Sequence, residues 1–231
     1  MRLAVCVPCR DQVDAGFAYD LARMSAFFGA HEAPKGGSLV TLTSMGTLIC
    51  DQRENLAREA LSAGADHILW LDSDMRFPKD IYRQLADRKK DIVGCNYATR
   101  RMPCHPTAFK NFKTLEHVYT HEDSTGLEEV ASMGMGCMLV KADVYKKLPM
   151  PWHLIGYSAR SGNYSGEDIY FCRIAREAGY TVWLDHDASK EIEHIGTFAY
   201  RHEHAEVWKD EVTAARKKLQ AEDKPVILEA N

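Results

Sequence analysis

The sequence predicts an α/β protein with a mostly parallel central sheet that helices cover on both faces. Short apolar runs alternate with segments of helical apolar spacing throughout residues 1–97. The apolar runs are continuous, which is typical of strands buried on both faces. Strands that alternate with helices pair in parallel, because each helix returns the chain to the same end of the sheet.

The first elements follow in order from local signals. The run "RLAVCVPC" ends at a proline and predicts the first strand. "DAGFAYDLARMSAFF" has helical spacing, with Asp14 as its expected cap and Gly29 as its expected stop. "LVTLTS" predicts the second strand, and "DQRENLAREALSAG" predicts a helix that Gly64 closes.

The middle of the chain continues this alternation and then becomes irregular. "HILWL" predicts the third strand, Pro78 opens the helix "PKDIYRQLADRKK" in its first turn, and "DIVGCNY" predicts the fourth strand. Residues 98–130 combine prolines with many polar residues and predict no regular element.

The second half repeats strand and helix signals without a linker. "GCMLV" predicts a strand, "KADVYKKL" a helix and residues 149–166 a loop rich in proline and glycine. "EDIYFCRIAREAG" predicts a helix that ends at Gly179, followed by the strand "YTVWLD". A last amphipathic helix is expected in "FAYRHEHAEVWKDEVTAARKKLQAE". We therefore expect one domain over residues 1–231.

Composition excludes several classes of protein. The 45% apolar and 27% charged content is that of an ordinary globular protein, and the net charge of −4 does not favour nucleic acid or anionic lipid as a general partner. No apolar run approaches the ~20 residues that span a membrane. Seven scattered cysteines predict free thiols in a reducing compartment.

Two aspartates follow the third predicted strand in "ILWLDSDMRFP". Residues i and i+2 of an extended chain point the same way, so Asp72 and Asp74 are expected to aim together where open α/β sheets bind ligands. Such close carboxylates repel unless a positive charge lies between them. Mg²⁺ or Mn²⁺ suits these oxygen ligands and can also bind substrate phosphates. The alternative is a turn whose aspartates cap the next helix.

The segment "GADHILWLDSDMRFP" resembles the DxD segment of nucleotide-sugar-dependent glycosyltransferases with the GT-A fold, in particular the family-2-like group of bacteria and their phages. The resemblance implies a Rossmann-like sheet, with residues 1–97 as the nucleotide-binding half and residues 98–231 as the acceptor half with a C-terminal helix. It extends over most of the chain through the order and spacing of "VCVPCRDQV", "RENLAREAL", "DIVGCNYATRR", "SMGMGCMLVKADVYKKL", "SGEDIYFCRIAREAGYTVWLD" and "EHIGTF".

The resemblance also implies an activity. A sugar would move from a nucleotide-diphosphate sugar, expected to be a UDP-sugar, to a hydroxyl of a glycan, a small molecule or a modified nucleic-acid base. Asp74 would bind Mn²⁺ or Mg²⁺ directly, and Asp72 through water or by binding the ribose. His194 would complete the metal site in preference to His186, because a glycine and a phenylalanine follow it as in the resembled group. Together with the free thiols, the resemblance predicts a cytoplasmic protein of a bacterium or a phage-infected host.

The acids of "SGED" form a second group, at a helix start. By themselves, Glu167 and Asp168 would only stabilise the helix, by ~0.3–1 kcal/mol, because negative side chains interact favourably with its positive N-terminal end. Gly166 is expected to allow an unusual backbone angle. The resemblance implies that Asp168 is the general base of an inverting enzyme and that Glu167 contacts the acceptor. In a retaining enzyme Asp168 would orient the sugar instead.

The nucleotide is expected to contact Pro8, Arg10, Arg53 and Asn55. Arg10 follows the first strand, where a guanidinium can meet a base oxygen or a phosphate, or pair with Asp11. Arg53 and Asn55 are two residues apart on a predicted helix and do not share a face, so a solvated helix end is the alternative for them.

The acceptor side is expected in the loop before "SGED", at Trp152, Tyr157 and Asn163, with simple packing as an equal alternative for Trp152.

Three further patterns in the sequence bear on other functions. "CVPC" has redox or zinc spacing, but Cys6 lies within a strand and no second pair completes a zinc site. Neither G-x-G-x-x-G nor G-x-x-x-x-G-K-[ST] is present. "ATRRMPCHPTAFKNFK" interleaves Arg100, Arg101, Lys110 and Lys113 with two phenylalanines, so a nucleic-acid-binding protein is the alternative, as is a phage enzyme that glycosylates modified DNA bases.

Overall fold

The computed structural model describes residues 1–158 and 163–197, together with residue 214. The chain divides into two compact units, Met1–Ile195 and Gly196–Asn231. All the elements given below belong to the first unit. The predicted C-terminal helix lies outside the described residues.

The first unit is a mixed α/β structure with several short helices. Its strands are β1 (Arg2–Cys9), β2 (Ser38–Met45), β3 (His67–Leu71), β4 (Met75–Arg76), β5 (Ile92–Gly94), β6 (Leu127–Val130), β7 (Cys137–Lys141), β8 (Gly156–Ser158), β9 (Asn163–Ser165), β10 (Val182–Asp185) and β11 (Glu193–His194). Its helices are α1 (Ala15–His31), α2 (Ile49–Ser62), α3 (Ile81–Asp87), α4 (Ala142–Lys147), α5 (Glu167–Glu177) and α6 (His186–Ser189), with a short 3₁₀ turn at Ala33–Lys35.

A seven-stranded sheet forms the centre, in the order β2-β1-β3-β7-β5-β10-β6. Strand β1 is parallel to β2 and β3, and β10 is parallel to β5. Strand β7 lies antiparallel between β3 and β5, and β6 lies antiparallel at the edge beside β10. Five of the seven strands therefore share one direction, which confirms the predicted mostly parallel α/β sheet.

Two apolar cores lie on opposite faces of this sheet, because successive strand residues point to opposite sides. On one face, Ala4 and Cys6 of β1 join a core with residues of α2, α4 and α5. On the other face, Leu3, Val5 and Val7 join a core with residues of α1 and α3. Both faces of the sheet are covered, as the continuous apolar strands predict.

Two predicted helix boundaries are wrong. Helix α1 continues past Gly29 to His31, and the chain reverses only after the 3₁₀ turn, at Gly36 with a φ of 81°. Helix α3 begins at Ile81, not at Pro78, whose carbonyl accepts the Ile81 N–H at 3.1 Å in a preceding turn. By contrast, Gly64 and Gly179 have positive φ just after α2 and α5, as predicted.

Residues 98–130, which we call the meander, contain only isolated bridges and the edge strand β6, so the expected irregular stretch is confirmed except at β6. Asn96 organises it: its amide donates to the Val118 carbonyl at 2.8 Å, and its oxygen accepts the N–H groups of Thr107 and Ala108. These contacts join backbone groups that are far apart in sequence, so local patterns do not reveal them. The predicted loop 149–166 also contains the β8–β9 hairpin.

Candidate functional site

A cavity of about 500 Å³ opens at the carboxyl ends of β1, β2 and β3. This is the edge where open α/β sheets bind ligands. Among the residues predicted to bind the nucleotide or the metal or to act in catalysis, all except Asn55 line it: Pro8, Arg10, Arg53, Asp72, Asp74, Glu167, Asp168 and His194. The fold thus gathers residues that are spread over most of the chain into one place.

Asp72 and Asp74 enter the cavity from a tight turn. The Met75 N–H donates to the Asp72 carbonyl at 3.1 Å and closes this turn directly after β3. The expected extended geometry is therefore wrong, although both carboxylates still reach the cavity. The aspartates do not cap the next helix either, because α3 begins later, at Ile81.

Arg53 of α2 joins two acids of the site. Its Nη2 donates to the Asp72 carboxylate at 2.8 Å and its Nε to the Glu167 carboxylate at 2.9 Å. The side chain is buried and packs over the Trp70 ring, 5.4 Å from the ring centroid. Burial alone would lower the pKa of Arg53, but the charges of Asp72 and Glu167 outweigh it and raise that pKa. Arg53 is therefore a permanent positive charge on the buried side of the cavity.

Asp74 has its own positive neighbours. Arg100 approaches one carboxylate oxygen at 2.6 Å, and His194 Nε2 lies 3.4 Å from the other. Burial opposes the charge of Asp74, but the hydrogen bond from His194 and the charge of Arg100 prevail and lower its pKa. Asp74 is thus held ionised, and two arginines, Arg53 and Arg100, supply the positive charge that the aspartates require.

Part of the predicted metal site fits a divalent ion. His194 Nδ1 lies 2.8 Å from the Ala98 carbonyl, which only accepts, so Nδ1 carries a proton. Nε2 faces Asp74: it donates to this carboxylate when the ring is charged, and it can bind an ion when the ring is neutral. In the described part of the chain, however, no three acidic, histidine or cysteine side chains are arranged to hold a metal. Asp72 is turned to Arg53 instead. The residues therefore offer two protein ligands, Asp74 and His194, to an ion that substrate oxygens would complete.

Glu167 and Asp168 are the first two residues of α5 and lie near Arg53. Burial and the charge of Glu167 raise the pKa of Asp168 to about 7. Gly166 has an ordinary backbone with a φ of −65°, so the expected unusual angle is wrong. A Cβ at this position would lie 2.5 Å from the Asp168 carboxylate, so any larger residue would require that side chain to shift.

Tyr97 is a cavity residue that sequence reasoning missed. Its hydroxyl accepts the Gly136 N–H at 2.9 Å, and burial together with the charges of Asp72 and Asp168 raises its pKa. The hydroxyl therefore stays protonated. The signal was present in "SMGMGCM": a Cβ at Gly134 or Gly136 would collide with the Tyr97 hydroxyl. These glycines therefore serve close packing against Tyr97.

Asn55 does not reach the cavity. It is exposed on α2, and its amide donates to Asp51 at 3.2 Å. Two residues along an α-helix differ by roughly 200° in direction, so Arg53 faces inward while Asn55 faces outward.

The loop residues before α5 differ in their surroundings. Trp152 is buried, and its ring nitrogen donates to the Leu148 carbonyl at 3.1 Å. This supports the packing alternative for Trp152. Tyr157 is exposed and packs against Tyr164 of the β8–β9 hairpin, with ring centroids 5.1 Å apart. The Asn163 side chain lies outside the described residues.

The basic segment is partly engaged within the protein. Arg100 is paired with Asp74, and Lys110 lies 3.0 Å from the Glu116 carboxylate. Arg101 and Lys113 are exposed. Half of the residues expected to contact nucleic-acid phosphates thus face acids of the protein itself.

The cysteines and the helices add two observations. Burial raises the pKa of Cys6, which leaves its thiol protonated and unreactive. All seven cysteines are free. In the part of the chain that the structure describes, we find no helix with the length and apolar character needed to cross a bilayer.

Comparison with known proteins bears on the fold. No protein-family model and no curated protein matches the sequence. The structure is similar to A197 from STIV, with a TM-score of 0.55 and 16% identity over 87% of this chain and 97% of that chain. The fold is of the GT-A type. Similarity is also found to TarS from S. aureus in complex with UDP-GlcNAc, with a TM-score of 0.49 and 11% identity over 87% of this chain and 60% of that chain.

Proposed function

We propose that this protein is a glycosyltransferase that moves a sugar from a nucleotide-diphosphate sugar, with UDP as the expected nucleotide, to an acceptor hydroxyl. One observation carries the proposal. The two aspartates after β3, the acid pair that opens α5 and a late histidine share one cavity with a buried arginine. Transfer from such a donor needs a cation for the diphosphate, a base for the acceptor and a pocket that orients both.

The diphosphate would lie beside Asp74 and His194. Mn²⁺ or Mg²⁺ bound there would neutralise the negative charge that develops on the leaving group. Asp72, held by Arg53 at 2.8 Å, would be a rigid acceptor for ribose hydroxyls or metal-bound water. Arg10 lies at the rim of the same cavity, where its guanidinium can meet the base or a phosphate.

Asp168 would act on the acceptor. In an inverting reaction the acceptor oxygen forms a bond to the anomeric carbon while the bond from that carbon to the phosphate oxygen breaks. The acceptor proton passes to the Asp168 carboxylate, and the electron pair of the broken bond leaves with the nucleoside diphosphate. A base with a pKa of about 7 is well matched to this step, because it is partly deprotonated at neutral pH and still basic enough to take the proton.

The test combines ligand binding with one matched pair of variants. Melting temperature is measured with Mn²⁺ alone and with Mn²⁺ plus each of a panel of UDP- and GDP-sugars, since a ligand of the native state stabilises it. We expect at least one sugar nucleotide to raise the melting temperature only with Mn²⁺ present. Asp74→Ala should abolish this rise and the release of nucleoside diphosphate.

Asp143→Ala is the control, because Asp143 is exposed on α4 and pairs only with Lys146 in the described residues. It should behave as the unchanged protein. No response to any sugar nucleotide, or full turnover by Asp74→Ala, would refute the proposal.

A further inference from the structure

A second cavity, of about 580 Å³, lies next to the first in the described part of the chain. Tyr97 lines both cavities. Ala98, whose carbonyl binds the His194 ring, also lines the second one. None of the site residues predicted from the sequence belongs to this cavity, yet a single tyrosine separates it from them.

One side of the second cavity is made of flat rings. The rings of Tyr119 and His121 stack with centroids 6.1 Å apart and planes within 15°. Tyr119 is 55% exposed, so much of its ring is open to a ligand. On the same segment, His105 stacks on His117 at 5.4 Å. Exposed ring faces of this kind bind the apolar face of another ring.

The cavity also presents an oriented hydroxyl. Thr120 Oγ1 lies 2.9 Å from His186 Nδ1, and His186 Nε2 lies 3.0 Å from the Glu128 carboxylate. An ionised carboxylate only accepts, so Nε2–H donates to Glu128 and Nδ1 accepts the Thr120 proton. The Asn96 amide also donates to Thr120 Oγ1, at 3.4 Å, so one lone pair of this hydroxyl remains for a donor in the cavity. His186, which competed with His194 as a metal ligand, therefore has a different position and role.

The charges of this cavity do not suit a phosphodiester chain. Lys190, the lysine that lines it in the described residues, donates to the Glu122 carbonyl at 2.6 Å. The Glu122 side chain adds a negative charge to the same wall. A ligand that is flat on one face, donates hydroxyl hydrogen bonds and carries no charge fits these surroundings best.

We propose that the second cavity binds a sugar ring of the acceptor, stacked on Tyr119 and hydrogen-bonded through a hydroxyl to Thr120. The proposal rests on the proposed transferase function and names the acceptor as a carbohydrate. Tyr97 would then lie between this ring and the donor cavity, and the reacting hydroxyl beside Asp168 would belong to another unit of the same acceptor.

The test measures sugar binding directly. Saturation-transfer NMR is recorded with the methyl glycosides of glucose, galactose, mannose and N-acetylglucosamine. At least one glycoside should bind. Tyr119→Ala and Thr120→Val should each weaken its binding about three- to tenfold, the loss expected for one ring contact or one hydrogen bond. Tyr19→Ala, which removes another exposed tyrosine on α1, should leave binding unchanged.

Three results would overturn the inference: no glycoside binds, Tyr119→Ala binds as well as the unchanged protein, or a single-stranded oligonucleotide displaces the glycoside. Failure of the transferase proposal would give a different experimental result. In that case no sugar nucleotide raises the melting temperature with Mn²⁺, whatever the glycosides do. Melting temperatures of the three variants show whether each has kept its fold.

Discussion

At the residue scale, the site balances its charges with arginines. Asp72 faces Arg53 and Asp74 faces Arg100. Sequence reasoning assigned the role of positive neighbour to a metal ion alone. In the structure an arginine faces each aspartate, so a cation at Asp74 would have to compete with Arg100.

This competition gives a prediction for Arg100→Gln. Arg100 is half exposed in this pair, and exposed ion pairs contribute about 0.2–1 kcal/mol, so removing Arg100 should tighten Mn²⁺ binding by a factor of about 1.4 to 5. Binding is measured by electron paramagnetic resonance of free Mn²⁺ without a donor. Arg101→Gln, the exposed neighbour, is the control. Unchanged or weaker Mn²⁺ binding by Arg100→Gln would show that Arg100 does not compete with the ion.

Asp168 gives a second prediction at this scale. If Asp168 is the base, the transfer rate should rise tenfold per pH unit below about pH 7 and level off above it, because only the carboxylate accepts the proton. Initial rates between pH 5 and 9 give the profile. Asp168→Asn should be nearly inactive, with no such slope in its residual rate. A flat profile for the unchanged protein would argue for the orienting role of a retaining enzyme.

The contribution of Asp168 to folding stability should fall as the pH rises, whereas the transfer rate should increase. Its pKa is raised in the fold, from 3.8 to about 7, so the folded protein holds a proton that the unfolded chain releases. The contribution of this group is therefore present below about pH 4 and is lost as the pH rises to about 7. Asp168→Asn cannot lose a proton, and its melting temperature should increase relative to the unchanged protein between these pH values.

At the element scale, one glycine inside a helix and one before a helix have different surroundings. Gly29 is exposed inside α1, and a Cβ there meets nothing within 4 Å. Gly166 precedes α5, and a Cβ there meets the Asp168 carboxylate at 2.5 Å. The first glycine is a weak point of its helix, and the second keeps room for the proposed base.

Alanine at these glycines should separate stability from activity. Gly29→Ala should stabilise the fold by about 0.5–1 kcal/mol without changing the transfer rate. Gly166→Ala should keep the fold, since its φ of −65° suits alanine, but should lower the transfer rate on the order of 100-fold by displacing the carboxylate. Denaturant unfolding and initial rates check both. Full activity of Gly166→Ala would remove Asp168 from the reaction.

At the scale of the whole molecule, Asn96 ties the meander 98–130 to the sheet. Asn96→Ala would leave the Val118 carbonyl and the Ala108 N–H without this partner, whereas the Thr107 N–H keeps its bond to the Tyr97 carbonyl at 3.1 Å. Buried polar groups without partners cost about 1–3 kcal/mol, so we expect a loss of about 2–3 kcal/mol of unfolding free energy. Asn111→Ala removes similar bonds at an exposed turn and should change stability far less. Equal effects of the two variants would contradict the anchoring role.

Local sequence was sufficient wherever a feature depends on neighbours along the chain. The apolar runs located every strand of the sheet except β6, and Gly64 and Gly179 marked the ends of α2 and α5 because a left-handed residue is a local requirement. A polar pair directly after a buried strand must lie at the sheet edge, so Asp72 and Asp74 were placed correctly even though the chain turns there.

Only the tertiary structure decided the partners. No short sequence pattern predicts that β7 lies between β3 and β5, or that Arg53 binds both Asp72 and Glu167. The packing of distant elements sets the direction of each side chain. It therefore places Arg100 at Asp74, turns Asn55 away from the first cavity and forms the second cavity beside Tyr97. The sequence by itself thus determined the sheet edge and the kinds of groups on it. The fold determined which of those groups meet, because contacts between residues far apart in the chain depend on packing that no short segment contains.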